Sequence, residues 1–248
     1  MKRALLLFLC LGATAAMCAA PAKLEDTLEL PAQTPAAGTT FAIFITGDGG
    51  WAALDRAVSA RLAQADVPVV GWNARSYFWT RRTPEEAAAD LAKVIRRFRT
   101  EWRRARVIVV GYSRGADVLA FLVSRLAPEE RGALQLVALL GPGRTIDFEF
   151  HVTDFIGDPD PKAALPVPPE VAKLRGLPLL IIHGDKDEDS SAGEIAPDVG
   201  RFEKVPGDHH FARDYDKLAG LILDAAGVKH YAPATSASVL PAPAPAGP

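Results

Sequence analysis

Short, nearly unbroken apolar runs recur through the middle of this chain, and most are followed by a segment with helical spacing. The runs cover residues 41–46, 67–72, 107–110, 134–140 and 179–182, with a last one at 202–205. A strand with one wet face alternates apolar and polar residues. Runs this continuous fit strands covered on both faces, as in a parallel sheet. The clearest helix opens at Thr83-Pro84-Glu85-Glu86. Thr83 is the N-cap, Pro84 takes the first helical position where a missing N–H is harmless, and Glu86 closes a capping box. Ala87, Leu91, Val94, Ile95 and Phe98 then recur on one face while Arg96, Arg97 and Arg99 mark the solvent side. This alternation predicts a doubly wound α/β domain with a mostly parallel sheet and helices on both faces, residues 24–30 adding an edge strand.

The two ends read differently. Lys2 and Arg3 precede an apolar stretch at 4–12 and small residues up to Ala-Pro-Ala at 20–22. That is the pattern of a secretory signal peptide, too short to cross a bilayer, with cleavage expected after Ala22. The two cysteines of the chain, Cys10 and Cys18, both lie inside it. A cleaved protein would have no disulfide, no thiolate metal site and no cysteine nucleophile. Residues 231–248 are almost all Pro, Ala and Ser and read as a flexible tail, which leaves 23–230 as the domain. A net charge of −2 argues against a nucleic-acid partner, which calls for a basic face.

In sheets of this kind ligands bind beyond the carboxyl ends of the strands. After the third run comes Gly111-Tyr112-Ser113-Arg114-Gly115 and then an apolar helical segment, 118–126. G-x-S-x-G between strand and helix is a tight, strained turn that holds a serine up at the sheet edge. The hydroxyl is a poor nucleophile until a base takes its proton and an acid orients that base. Both types follow in the order used by the α/β-hydrolase fold. After residues 179–182 comes His183-Gly184-Asp185-Lys186-Asp187-Glu188-Asp189, where the acid is Asp187 or Asp189. After 202–205 comes Pro206-Gly207-Asp208-His209-His210-Phe211, where position favours His210 as base, with His209 second. His183 reads as structural, and His151 and His230 have no partner in view. Asp185-x-Asp187-x-Asp189 resembles the start of a calcium loop, but Ser190 replaces the required Gly and Ala196 the required Glu.

A developing oxyanion needs two preorganised N–H donors. The amide of Arg114 is one candidate, and Asp48 or Gly49 in Gly47-Asp48-Gly49-Gly50-Trp51 supplies the other. No Lys-Ser or Lys-Thr follows those glycines, which excludes a Walker loop. No metal or cofactor is implied. Residues 141–178 are too few for a separate lid domain, yet carry Asp147-Phe148-Glu149-Phe150-His151 and Asp154-Phe155. An acidic, aromatic wall would suit a cationic substrate; a half-buried strand gives the same alternation.

Gly47-Asp48-Gly49-Gly50-Trp51, Tyr77-Phe78-Trp79, Gly111-Tyr112-Ser113-Arg114-Gly115-Ala116-Asp117 and Gly207-Asp208-His209-His210-Phe211 together resemble the bacterial virulence protein family VirJ and the related C-terminal domain of AcvB, roughly from Phe41 to Ala226. The resemblance implies a periplasmic α/β-hydrolase-fold protein associated with type IV secretion and virulence, hydrolysing aminoacylated phospholipid, especially lysyl-phosphatidylglycerol, at the membrane surface. Arg114 departs from the apolar or aromatic residue expected there, and its charge would oppose a lysyl head group; the acid loop begins with His183 rather than an aromatic residue. On this reading Trp51, Asp117 and Glu149 join Asp48 as candidate substrate contacts. Two other functions use the same sequence: a general carboxylesterase or thioesterase, and a non-catalytic interaction protein of a secretion apparatus.

Overall fold

A computed structural model describes residues 23–32, 38–150 and 164–229. The signal segment, the tail, His151, Asp154, Phe155 and His230 lie outside them. The main sheet has seven strands in the order β1-β3-β2-β4-β5-β8-β9. These are β1 (Leu28–Ala32), β2 (Thr40–Ile45), β3 (Val69–Trp72), β4 (Arg106–Tyr112), β5 (Leu134–Leu140), β8 (Leu179–Gly184) and β9 (Arg201–Val205). Six run parallel, and β1 pairs antiparallel with β3, Leu28 opposite Trp72. The edge strand thus starts later than the sequence suggests, because Leu24–Thr27 forms a 3-10 turn in which the Thr27 hydroxyl donates to the Leu24 carbonyl. A small ribbon of β6 (Thr145–Ile146) and β7 (Leu165–Pro166) lies between β5 and β8 in sequence.

Both faces of the sheet are covered, as continuous apolar strands require. Phe41, Ile43 and Ile45 of β2 face one core with α3 (Pro84–Glu101) and α4 (Arg114–Ser124); Ala42 and Phe44 face the other with α1 (Ala53–Gln64) and α7 (Tyr215–Ala225). The capping box at the start of α3 is formed: the Glu86 amide donates to Thr83 Oγ1 and the Thr83 amide to Glu86 Oε2. Every apolar residue expected on its inner face is buried. The order of the central strands brings the loops after β2, β4, β8 and β9 to the carboxyl rim of one sheet, which positions the site.

Candidate active site

The turn after β4 is the tightest feature of the rim. Ser113 sits at φ +54°, ψ −124°, a backbone region that an L-residue occupies only under constraint. Glycines on either side make the turn possible. A Cβ on Gly111 would come 2.3 Å from the Gly115 carbonyl oxygen, and one on Gly115 would come 2.2 Å from the Ile45 carbonyl oxygen. The Ser113 amide donates to Leu140 O, and α4 starts at once, the Ala116 and Asp117 amides donating to Ser113 O. The serine is thus presented at the helix N-terminus, whose partial positive charge favours developing negative charge.

The acid and base meet across the loops after β8 and β9. His209 Nδ1 lies 2.9 Å from Asp187 Oδ2, and the Asp187 side chain is 1% exposed. The acid loop is tied to the histidine turn by further bonds: the Lys186 amide donates to Gly207 O, and the Gly207 amide to Asp185 Oδ1. The Asp185, Asp187 and Asp189 set is therefore split by role, and among the described residues no group of acidic, histidine or cysteine side chains could hold a metal ion.

His210, favoured by position, is turned away from the acid. Its Nδ1 lies 3.0 Å from the Tyr112 hydroxyl, and the residue is exposed. The reason is the turn itself. Asp208 Oδ1 accepts the His210 amide, Asp208 O accepts the Phe211 amide, and Phe211 is buried at 1% exposure against the α1 and α7 core. With Phe211 pinned inward, His209 points to Asp187, while His210, also on the cavity wall, points to Tyr112. Asp189 is exposed, and its backbone carbonyl accepts from Arg144 Nη1. His183 Nδ1 lies 3.2 Å from the adjacent Gly184 carbonyl oxygen, a local contact.

A cavity of about 590 Å³ opens at the rim, its walls including Asp48, Asp55, Ser113, His209, Arg213 and Tyr215. The Gly47–Gly50 turn forms one side. A Cβ on Gly47 would stand 3.2 Å from Ser113 Cβ, so glycine lets the backbone approach Ser113. Asp48 and Gly49 thus reach the cavity that Ser113 faces, and Arg114 follows Ser113 as the first residue of α4.

Several expected substrate contacts have other work. The Arg114 side chain is 9% exposed; its Nε donates to Asp48 Oδ1, and its Nη1 to the carbonyls of Asp147, at 2.7 Å, and Glu149, at 3.4 Å. Its guanidinium also sits 5.7 Å from the Phe150 ring centre. Glu149 accepts from Arg81 Nε at 2.7 Å. Phe148 and Phe150 are buried while Asp147 and Glu149 are half-buried, so the acidic–aromatic alternation separates core from solvent rather than lining the cavity. Trp51 belongs to the core: it packs edge-on against Phe44 at 6.1 Å, with Arg56 over its ring. Asp117, one helical turn after Ser113, accepts the Gly143 amide at 2.7 Å. Burial raises its carboxyl to about 7, against the pull of the Gly143 bond and the Arg114 charge.

Two cavity residues carried no clear sequence signal. Asp55 is buried, its Oδ2 accepting the Ala52 amide at 2.9 Å at the start of α1. Burial, and then the Asp55 charge, push the Tyr112 phenol well above its ordinary range. Arg213 follows four residues after His209, where nothing in the sequence marks it as part of the site.

The profile of the bacterial virulence protein (VirJ) family matches residues 39–229. The chain belongs to the VirJ family. Among solved structures, this VirJ chain is similar to Est1E from Butyrivibrio proteoclasticus, with a TM-score of 0.57 and 16% identity over 81% of this chain and 93% of that one. It is also similar to XC6422 from Xanthomonas campestris, described as an α/β serine hydrolase without lid, at TM-score 0.51 and 18% identity over 81% and 86%. The type II thioesterase BorB from the borrelidin biosynthetic cluster gives TM-score 0.53 and 18% identity over 81% and 97%. At such identities the likeness is one of fold, and the VirJ chain has the α/β-hydrolase fold. No curated protein sequence matches it.

Proposed function

We propose that this VirJ chain is an exported, periplasmic serine hydrolase that cleaves aminoacylated phospholipid at the membrane surface, in the setting of type IV secretion. The observation that carries the hydrolase reading is the conjunction at one cavity of a serine in strained backbone with a histidine fixed by a buried aspartate. Asp187 holds His209 by Nδ1, which leaves Nε2 as the proton acceptor. Ser113 Oγ attacks the ester carbonyl carbon as His209 takes its proton. The amides of Arg114 and of the Asp48–Gly49 turn stabilise the oxyanion. The intermediate collapses with cleavage of the carbon–oxygen bond to the alcohol, and His209 returns the proton to the departing oxygen. Water, deprotonated by the same imidazole, then releases the acid and restores Ser113.

The cationic acyl group is supported by charge. The Arg114 guanidinium is neutralised by Asp48 and turned toward residues 147–150, so it does not oppose an ammonium. Asp55 adds a buried carboxylate to the same wall. The Est1E and BorB likenesses support the alternative of an esterase or thioesterase with a neutral acyl group. Reaction of the purified protein with a fluorophosphonate, followed by peptide mapping, should label Ser113, and Ser113→Ala should abolish both labelling and ester cleavage. Lysyl and butyryl esters of one alcohol then separate the substrates. Preference for lysyl supports the lipid reading, equal rates leave a general esterase, and an unlabelled Ser113 removes the catalytic reading altogether.

A further inference from the structure

Helices α1, α3 and α7 end in the same backbone motif, but only α7 gives it the glycine it favours. The residue after the C-cap turns left-handed, and its amide and the next one close the last helical turn. At α7 that residue is Gly227, φ +65°; its amide donates to Asp224 O and the Val228 amide to Leu223 O. At α1 it is Asp66, φ +63°, the Asp66 and Val67 amides donating to Ala63 O and Leu62 O. At α3 it is Arg103, φ +53°, the Arg103 and Arg104 amides donating to Thr100 O and Arg99 O. Aspartate tolerates this backbone, and Asp66 Oδ1 accepts from Arg104 Nη2 at 3.0 Å. Arg103 has no such return. It is exposed, and among the described residues its side chain makes no hydrogen bond or ion pair.

Arg103 stands on the wall of a second cavity, of about 480 Å³, with Arg96, Arg99, Thr100, Arg104, Ala105 and Glu129. Arg104 belongs to the fold: it is buried, and its Nη1 donates to Thr40 O at 2.6 Å and Asp66 O at 2.8 Å. The other three arginines are spaced i, i+3 and i+7, on one side of α3. Arg96 donates to the buried Glu130 through Nη1, which leaves its other N–H groups for a ligand. Arg99 Nη1 is 3.8 Å from Glu129 Oε1, beyond hydrogen-bond reach, and Glu129 is largely exposed. A helix dipole favours cations in the last turn. It asks neither for a concave wall of them nor for an arginine in the place of glycine.

The cavity lies at the start of β4 and Ser113 at its end, seven residues or roughly 20 Å apart. We infer that this amino-rim cavity binds a soluble compound carrying two or more phosphate groups, held by the guanidiniums of Arg96, Arg99 and Arg103. Each guanidinium fork matches two phosphate oxygens. The three are spread over about 10 Å of helix axis, more than one phosphate reaches. A lipid headgroup is the poorer source, because a bilayer seated on this rim would leave the catalytic cavity facing away from it. The site stands apart from the hydrolase reading and does not depend on it.

Calorimetry on the purified protein at low ionic strength tests this, with pyrophosphate as the probe. Pyrophosphate should bind, and inorganic phosphate about 10-fold or more weakly than it. Arg103→Gly decides, because glycine suits the left-handed position and the fold is kept. This variant should melt at the parent's temperature or above it, yet bind pyrophosphate about 10- to 100-fold more weakly, the worth of a charge-assisted hydrogen bond. Arg103→Lys, a point charge without the fork, should fall between the two. Absence of pyrophosphate binding to the parent overturns the inference, as does equal affinity in Arg103→Gly. Equal affinity of the parent for phosphate and pyrophosphate overturns the ligand class. Pyrophosphate that blocks fluorophosphonate labelling of Ser113 would be in the catalytic cavity, which overturns the site. Phosphatidylglycerol vesicles that bind through Arg103 while pyrophosphate does not would report a charged surface instead of a cavity, and overturn it too. A Ser113 that takes no label counts against the hydrolase reading alone, and calorimetry still decides the anion site.

Discussion

Two turns on the same rim hold residues in backbone that L-amino acids avoid, and they do so by different means. At the turn after β4 one residue, Ser113, is strained, and Gly111 and Gly115 give it room because any side chain there would meet backbone within 2.3 Å. At the histidine turn three successive residues, none of them glycine, are left-handed, and a buried phenylalanine holds them. The first turn is specified by sterics around five adjacent residues, Gly111 meeting the Gly115 backbone and Gly115 meeting the Ile45 carbonyl of β2. The second has a glycine too, Gly207, where a Cβ would come 2.3 Å from the Ala212 nitrogen, but the core also specifies it: Phe211 fills the space between α1 and α7, and the orientation of both histidines follows from that.

The largest effect should come from the two histidines that this anchoring separates. His209→Ala removes the imidazole held by Asp187 and should lower ester turnover by at least about 10³-fold. His210→Ala loses an exposed ring and its contact with the Tyr112 hydroxyl, and should stay within about fivefold, since such a bond is worth roughly 1 kcal/mol. Steady-state hydrolysis of a chromogenic ester by the two folded variants measures the difference. The reverse ranking would mean that the histidine turn rearranges when substrate binds, and the contrast between the turns would fail with it.

The same contrast explains what the sequence made legible. Strand β5 falls on the expected residues 134–140, and α3 on its expected start, because apolar continuity and a capping box act over a few neighbouring positions. Ser113 is legible for the same reason. That His209 rather than His210 pairs with Asp187 depends on which neighbour a distant core or loop captures. Trp51, Asp117 and Glu149 have the chemistry of substrate contacts, but Phe44, the Gly143 amide and Arg81 engage them. Arg114 looked like an obstacle to a cation only while its partner, Asp48, sixty-six positions away, was out of view. Asp55 had a faint signal as the third helical residue of α1. Arg213 had none, since its place is fixed by the strain of the turn before it.

The turn at Ser113 leads into a buried charge that is destabilising. Asp117 lies in the first turn of α4, and burial raises its carboxyl from 3.8 to about 7. Between those pH values the folded protein holds a proton that the unfolded chain has released. Stability from this group therefore falls as pH rises from about 4 to about 7 and levels off above that. Asp117→Asn keeps an oxygen for the Gly143 amide and removes the titration. At pH 8 the variant should exceed the parent by on the order of 2–4 kcal/mol, and the gap should close toward pH 4. Urea unfolding at pH 8 and pH 4.5 reads it. A gap independent of pH would show that Asp117 acts through packing and not through its charge.

The smallest effect sharpens the comparison from the other side, by placing a glycine at one of the strained positions of the histidine turn itself. Ala212 is at φ +49° and exposed, so its methyl group buries little and its left-handed geometry is a cost with no packing return. Glycine at this position removes a penalty of roughly 1–2 kcal/mol but gives the unfolded chain more freedom, worth roughly 0.5–1 kcal/mol in the opposite direction. Ala212→Gly should therefore be more stable by about 0.5–1 kcal/mol, raising Tm by about 1–4 °C in a chain of this size. Its rate on neutral esters should change little if Phe211 alone sets the histidine. Should the rate drop instead while Tm rises, the alanine would be contributing stiffness between the Phe211 anchor and Arg213, and the turn would owe its shape to all three residues together.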